Sequence, residues 1–105
     1  QKGREISKPG MSMHDLDDGV TKVLEASEYK DFIVHKTGHG LGMDVHEDPY
    51  VMRKNYELLE KGMIITIEPG LYKDKHLGIR VEDDVLITNE GCKSLTSFDR
   101  DLRVI

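Results

Sequence analysis

"HKTGHGLGMDVHEDP", residues 35–49, holds three of the five histidines and three glycines spaced two apart. Glycine loses more backbone freedom on folding than any other residue and offers no side chain to pack, so the stretch is expected to resist regular helix or strand. On its own the alternation reads as a flexible turn. A phosphate loop fits less well: "GHGLG" lacks the GxxxxGK[ST] pattern, is one residue short of GxGxxG and does not open a helix. Some other chemistry must account for imidazoles held among glycines.

Working outward, "DFIVH" (31–35) predicts a short strand entering this loop, and "DVHEDP" (44–49) a brief extended piece ended by Pro49. Upstream, "SKPGMS" (7–12) punctuates the chain, and Ser12 followed by Asp15 has the pattern of a helix N-cap with an acid in the first turn. A helix is predicted over about 13–28, with Leu16, Val20, Val23 and Leu24 on one face and Gly19 as its weak point. Downstream, Leu58, Leu59, Lys61 and Gly62 turn the chain into "MIITIE" (63–68). "PGLYKDKHLG" (69–78) then reads as a loop before the strand "IRVEDDVLIT" (79–88). "NEG" leads to "CKSLT" (92–96), and "LRVI" (102–105) is a candidate last strand. One main helix followed by mostly antiparallel strands predicts an α+β class in a single unit, residues 1–105, without repeat or linker.

Composition narrows the function classes. A chain of 105 residues buries roughly two thirds of its unfolded surface, enough for a modest core. With 33% charged and 37% hydrophobic residues it is polar, yet not of disordered composition. The net charge of −5 argues against a nucleic-acid partner, and no apolar run is long enough to span a membrane. The single Cys92 cannot form an internal disulfide, and a cytoplasmic setting is the default expectation.

Two acids supply the first sign of chemistry. With a period of two, Glu68 shares a face with Ile64 and Thr66, and Glu82 shares one with Arg80, Asp84 and Leu86. A hairpin centred near Lys75 would set Glu68 opposite Glu82. Two carboxylates facing each other across a sheet repel, and burying both ionised costs several kcal/mol, so a positive group is expected between them. A divalent metal meets that need, with His39 as companion ligand where Gly38 and Gly40 clear the space beside it. A mixed nitrogen and carboxylate set favours Mn, Co, Fe or Zn over Ca. Blander readings stand beside this one. Glu68 and Glu82 could be edge-strand charges, the acidic run 82–84 a solvated face, and His14 and His76 ordinary surface residues.

"HKTGHGLGMDVHEDP", "MIITIEPGLY" and "GIRVEDDVLIT", in this order and spacing, resemble the C-terminal half of the catalytic domain of the Xaa-Pro dipeptidase (prolidase) and Xaa-Pro aminopeptidase family, metallopeptidases of the pita-bread fold. The likeness runs from about "KPGMS" to "DLRVI". It implies that His39 and Glu68 are metal ligands, that Glu68 also carries a proton, and that Glu82 bridges two metals. It further implies that His46 contacts substrate and stabilises the transition state, while His35 and Arg80 stand near the leaving-group pocket. The substrate implied is a dipeptide or short peptide with proline in second position.

The family's metal pair takes two further aspartates from a DxG-type segment upstream of the helix, and no such segment occurs here. Asp15, Asp17 and Asp18 lie on the following helix and are not substitutes. The chain is therefore expected to be a partial catalytic domain carrying three of five ligands, holding one ion or none by itself and inactive alone. An apolar surface left uncovered would favour self-association. Two alternatives remain. One is a non-catalytic descendant that binds peptides or proteins, and the other is an enzyme cleaving a non-peptide C–N bond, as creatinase relatives do.

Overall fold

The computed structural model describes all 105 residues. Two helices, α1 (Lys2–Ile6) and α2 (Met13–Glu25), precede a single 3-10 turn at Lys30–Phe32. Seven strands follow: β1 (Gly38–Gly40), β2 (Glu47–Val51), β3 (Ile64–Ile67), β4 (Gly70–Lys73), β5 (Leu77–Arg80), β6 (Asp83–Ile87) and β7 (Cys92–Ser94). Five form an antiparallel sheet in the order β2-β1-β3-β6-β7, while β4 and β5 form a separate ribbon. Neither helix is long and apolar enough to cross a membrane.

Helix α2 begins where the sequence predicts. The Ser12 hydroxyl accepts the Asp15 N–H at 3.0 Å and donates to the Asp15 carboxylate at 2.8 Å, satisfying an amide that the first turn leaves free. It stops at Glu25 rather than 28. The Ser27 hydroxyl donates to the Leu24 carbonyl at 2.6 Å and accepts the Tyr29 N–H at 3.2 Å, which turns the chain away from the helix. Met13, Leu16 and Val20 are buried, whereas Val23, assigned to the same face, stays exposed.

The unforeseen α1 is only five residues long with no side-chain cap, too short for a periodic signal. Its Gly3 packs so closely on the core that an added Cβ would stand 2.7 Å from Ile67 Cγ2.

Met13, Leu16 and Val20 pack on Val51, Leu59, Ile65, Ile67, Val85 and Ile87. Each such burial contributes about 1.5–3 kcal/mol. The residues in β3 and β6 alternate, so one sheet face is core and the other carries Ile64, Thr66, Asp84 and Leu86.

The predicted hairpin register is present. Ile64 pairs Leu86 and Ile67 pairs Asp83; beyond a gap, Gly70 pairs Arg80 and Lys73 pairs Leu77. Every pair is centred on Lys75, whose φ of 56° serves the turn. Two assignments need correction. "PGLYKDKHLG" is mostly strand, and "IRVEDDVLIT" is two strands rather than one. Pro69 has no N–H for the ladder, so only the Val81 N–H reaching the Pro69 carbonyl at 3.4 Å spans the gap and the ribbon separates from the sheet.

The glycine-rich stretch is corrected as well, because Gly38–Gly40 is a buried strand. Glycine is required there by approach rather than freedom: a Cβ on Gly38 would collide with the carbonyl of Thr66 on β3. Strand β2 is not ended by Pro49 but runs through it. The register passes from His39↔Tyr50 to Gly40↔Glu47, skipping Asp48 and Pro49, and β2 is an edge strand where a missing N–H does little harm. "DFIVH" forms no strand, since its first residues close the 3-10 turn. "LRVI" is likewise no strand; Leu102, Val104 and Ile105 are exposed.

Asp17 ties these parts together. It is buried, and its two carboxylate oxygens accept the Thr37 N–H and the Arg53 N–H, each at 3.0 Å. Hydrogen bonds to a charged acceptor contribute about 1.5–3 kcal/mol each, so this carboxylate is a strong clamp between α2 and the segments flanking β1 and β2.

The acidic run at 82–84 is not a solvated face throughout. Asp83 is buried and accepts from Arg100 Nε at 2.7 and 2.8 Å and from the Thr96 hydroxyl at 2.9 Å, with Arg4 Nε at 3.5 Å. Hydrogen bonding by the Arg100 guanidinium, outweighing burial, holds the Asp83 carboxyl below the usual carboxylate range. A depressed folded-state pKa means that the ionised group stabilises the fold above its unfolded value of about 4 and that this contribution is lost as pH falls through the folded pKa. Arg100→Ala is therefore expected to lower stability near neutrality, seen as an earlier urea midpoint. In urea melts at stepped pH, the difference from wild type should shrink steadily below about pH 4.

Candidate metal centre

The face of the sheet opposite the core carries the site. His39 on β1 is buried, and its Nδ1 lies 2.8 Å from the Gly40 carbonyl. A carbonyl can only accept, so Nδ1 carries a proton, and when the ring is neutral its Nε2 is left bare. That nitrogen stands 2.9 Å from Glu68 Oε1, with the Glu68 side chain only 13% exposed. Two acceptors this close repel unless a proton or a cation joins them.

The backbone fixes both partners. The Glu68 N–H donates to the Thr37 carbonyl at 2.7 Å, just past the end of β3. The His39 N–H donates to the Thr66 hydroxyl at 3.0 Å, and that hydroxyl donates to Glu68 Oε1 at 3.0 Å.

Arg80 occupies the position the carboxylate pair demands. Its Nε is 3.5 Å from Glu68 Oε2 and its terminal nitrogen 3.6 Å from Glu82 Oε2. The positive group between the two acids in this chain is thus a guanidinium. The contacts are long and the Arg80 side chain is 48% exposed, so the interaction is weak and displaceable. Glu82, at 41% exposed, is also open and meets the His39–Glu68 pair only through Arg80. No three His, Cys, Asp or Glu side chains converge closely enough to hold an ion.

The His46 ring lies 4.3 Å from that of His39, centre to centre, at the open side of the site. His35 sits apart from the pair. Its Nδ1 lies against the Lys36 carbonyl at 2.7 Å, leaving Nε2 to accept from the Tyr72 hydroxyl at 3.3 Å. The helix aspartates are elsewhere, as expected: Asp15 caps α2, Asp17 holds backbone amides and Asp18 pairs with Lys22 and Arg53. Thr66 and Tyr72 were not foreseen as members of the site. The period of two that groups Thr66 with Glu68 is the signal that could have found the first; nothing local marks the second, because its partner is 37 positions away.

These residues suit a metal. A bare imidazole nitrogen and a carboxylate oxygen form a donor set for borderline ions such as Zn, Mn, Fe or Co. The His39–Glu68 separation is that of a hydrogen bond, and two ligands at a right angle about 2.1 Å from one ion would stand about as close.

Residues 1–89 match the family model for metallopeptidase family M24. The chain belongs to metallopeptidase family M24. Within that family it is similar to the Xaa-Pro dipeptidase of Pyrococcus furiosus, 43% identical over 98 residues that make up 93% of this chain and 28% of that protein. Among solved structures, the prolidase of Pyrococcus horikoshii OT3 superposes with a TM-score of 0.92 at 41% identity, over 97% of this chain and 29% of that one. The X-Pro aminopeptidase of Thermotoga maritima MSB8 gives 0.93 at 34% identity, over 99% and 30%. The chain therefore spans less than a third of the relatives it matches. These M24 structures bear out the α+β, pita-bread-type fold.

In its neutral form His39 is expected to be the Nδ1–H tautomer, the reverse of the usual preference. Long-range proton–nitrogen correlation spectra of the histidine rings would check this; an Nε2–H tautomer would remove the facing acceptors.

Proposed function

We propose that this chain supplies one side of a metal-dependent active site that hydrolyses the peptide bond before proline in dipeptides or short peptides. The observation that carries the proposal is His39 Nε2 held 2.9 Å from Glu68 Oε1. His39, Glu68 and Glu82 would hold the ions, with Arg80 swinging clear of the carboxylates, and two further aspartates would come from outside these residues. When bound, a pair of Mn, Co, Zn or Fe ions would polarise the scissile carbonyl and activate the attacking water.

Glu68 accepts a proton from that water and returns it to the leaving nitrogen, its fixed backbone holding the carboxylate at the pair. His46, solvent-facing beside His39, donates a hydrogen bond to the negative charge that develops on the carbonyl oxygen. His35 and Arg80 would stand on the leaving-group side and orient the peptide's far end. Alone, the chain holds one ion or none and is inactive, and its setting is cytoplasmic.

A second reading is a non-catalytic peptide- or protein-binding member of the family. It is favoured by the way Arg80 sets a cation of the chain's own between Glu68 and Glu82. A chimaera decides between them: this chain replaces the matched segment of the Pyrococcus furiosus Xaa-Pro dipeptidase. With Mn or Co it should cleave Xaa-Pro dipeptides, lose detectable turnover with His39→Ala or Glu68→Ala, and lose about 10²-fold in kcat with His46→Ala. A folded, metal-loaded chimaera without turnover would favour the binder.

Self-association follows from exposed apolar groups. A groove of about 620 Å³ is lined by Tyr29, Phe32, Leu71, Leu77, Ile79 and Val81, the last three well exposed. Sedimentation of the chain should give a dimer or larger species, and a single monomeric boundary at micromolar concentration would exclude it.

A further inference from the structure

We infer that Thr66 is a positioning residue, whose hydroxyl sets His39 and Glu68 against each other. The inference deepens the proposed ligand pair and rests on it.

The polarity of the hydroxyl is fixed by its partners. The His39 N–H can only donate, so it takes an oxygen lone pair at 3.0 Å; the one hydroxyl proton is then left for Glu68 Oε1, also at 3.0 Å. One oxygen atom thereby ties the backbone of one ligand candidate to the carboxylate of the other. It also selects which carboxylate oxygen faces His39: Oε1 receives the hydroxyl and meets Nε2, whereas Oε2 is left to Arg80. Thr66 is 1% exposed, so no water can take over either bond.

The surrounding ladder does not do this work. Strands β1 and β3 pair at Gly40↔Ile65 alone, and continuing that register brings His39 opposite Thr66, where a side-chain bond replaces a backbone one. Thr66 itself pairs Asp84 on β6 through its backbone, which a change of side chain leaves in place. A threonine is suited to the position because its methyl and hydroxyl hold χ1 in few rotamers, aiming the oxygen between the two partners. Valine keeps the shape and loses the oxygen; serine keeps the oxygen and loses the methyl.

The test uses the full chain and the variants Thr66→Val and Thr66→Ser. In Thr66→Val, exchange of the His39 amide should quicken at least about tenfold while those of Ile65 and Val85 are unchanged, and Thr66→Ser should restore it. Titration with Co²⁺ alone should show affinity falling about 10- to 100-fold in Thr66→Val, with recovery in Thr66→Ser. An unchanged His39 amide, or equal Co²⁺ affinity in wild type and Thr66→Val, overturns the inference. If the chain alone binds no Co²⁺, the same titration is made in the chimaera with the Pyrococcus furiosus dipeptidase, where absence of binding sinks the ligand-pair reading; the exchange result decides Thr66 separately. Should Thr66→Val fail to fold, wild-type spectra decide: a slowly exchanging Thr66 hydroxyl proton close to the His39 amide supports the assignment, and its absence refutes it.

Discussion

The close approach of β1 to β3 is the constraint on which the rest of the site depends. Gly38 lies flush against the Thr66 backbone, so near that any side chain at position 38 would part the two strands. Because they touch there, the Thr37 carbonyl can take the Glu68 N–H and the Thr66 hydroxyl can take the His39 N–H. Asp17 holds the same segment from the helix side by gripping the Thr37 amide. The His39–Glu68 distance is thus set by these backbone contacts together with the Thr66 hydroxyl, not by the two side chains finding each other. Rigidity of this kind is what a metal or a developing charge needs, since a preorganised donor loses no freedom when it binds.

Electrostatics then explain why the hairpin splits where it does. Glu68 and Glu82 fall just beyond the last pair of the β3–β6 ladder, opposite each other in the register that continues into β4 and β5. Unbroken pairing would press the two acids together at a separation where like charges destabilise a sheet. Pro69 opens the ladder instead, and Arg80 folds back from the end of β5 between them. A guanidinium and a divalent ion answer the same repulsion with different geometry. The first reaches from its own chain at low cost, while the second demands that the carboxylates converge.

Local patterns in the sequence made much of this legible. Ser12 and Asp15 marked the start of α2, and alternation showed which residues share a face with Glu68 and with Glu82 and allowed a register centred on Lys75. His39, Glu68 and Glu82 were legible as a group; His39 and Glu68 meet, whereas Glu82 joins them only through Arg80, a residue placed by resemblance near the leaving-group pocket. What was hidden depended on contacts between distant segments. The glycines of β1 look unsuited to a strand until Thr66 is seen pressing on Gly38, and Pro49 looks like a terminator until β2 proves to be an edge. Asp83 reads as one more solvated acid in an acidic run; only Arg100, 17 positions on, makes it an internal anchor. Composition and periodicity report the near neighbours of a residue, and these positions are decided by far ones.

Alternation also divides labour between stability and chemistry. In β3, Ile65 and Ile67 go to the core, while Thr66 between them faces the site and Glu68 follows on the same side. In β6, Asp83, Val85 and Ile87 face inward, with Glu82 just ahead of them on the other side. The core face is closed within this chain by α2. The other face is closed only at Thr66 and His39, leaving Ile64, Glu68 and Leu86 part-buried and His46, Arg80 and Glu82 open. Because a strand residue cannot belong to both faces, the site can change its polar residues without disturbing the packing that holds the strands. Thr66 stands apart only in depth, since it is buried like a core residue yet bonded like a site residue, so its substitution is felt by the site and not by the packing behind it.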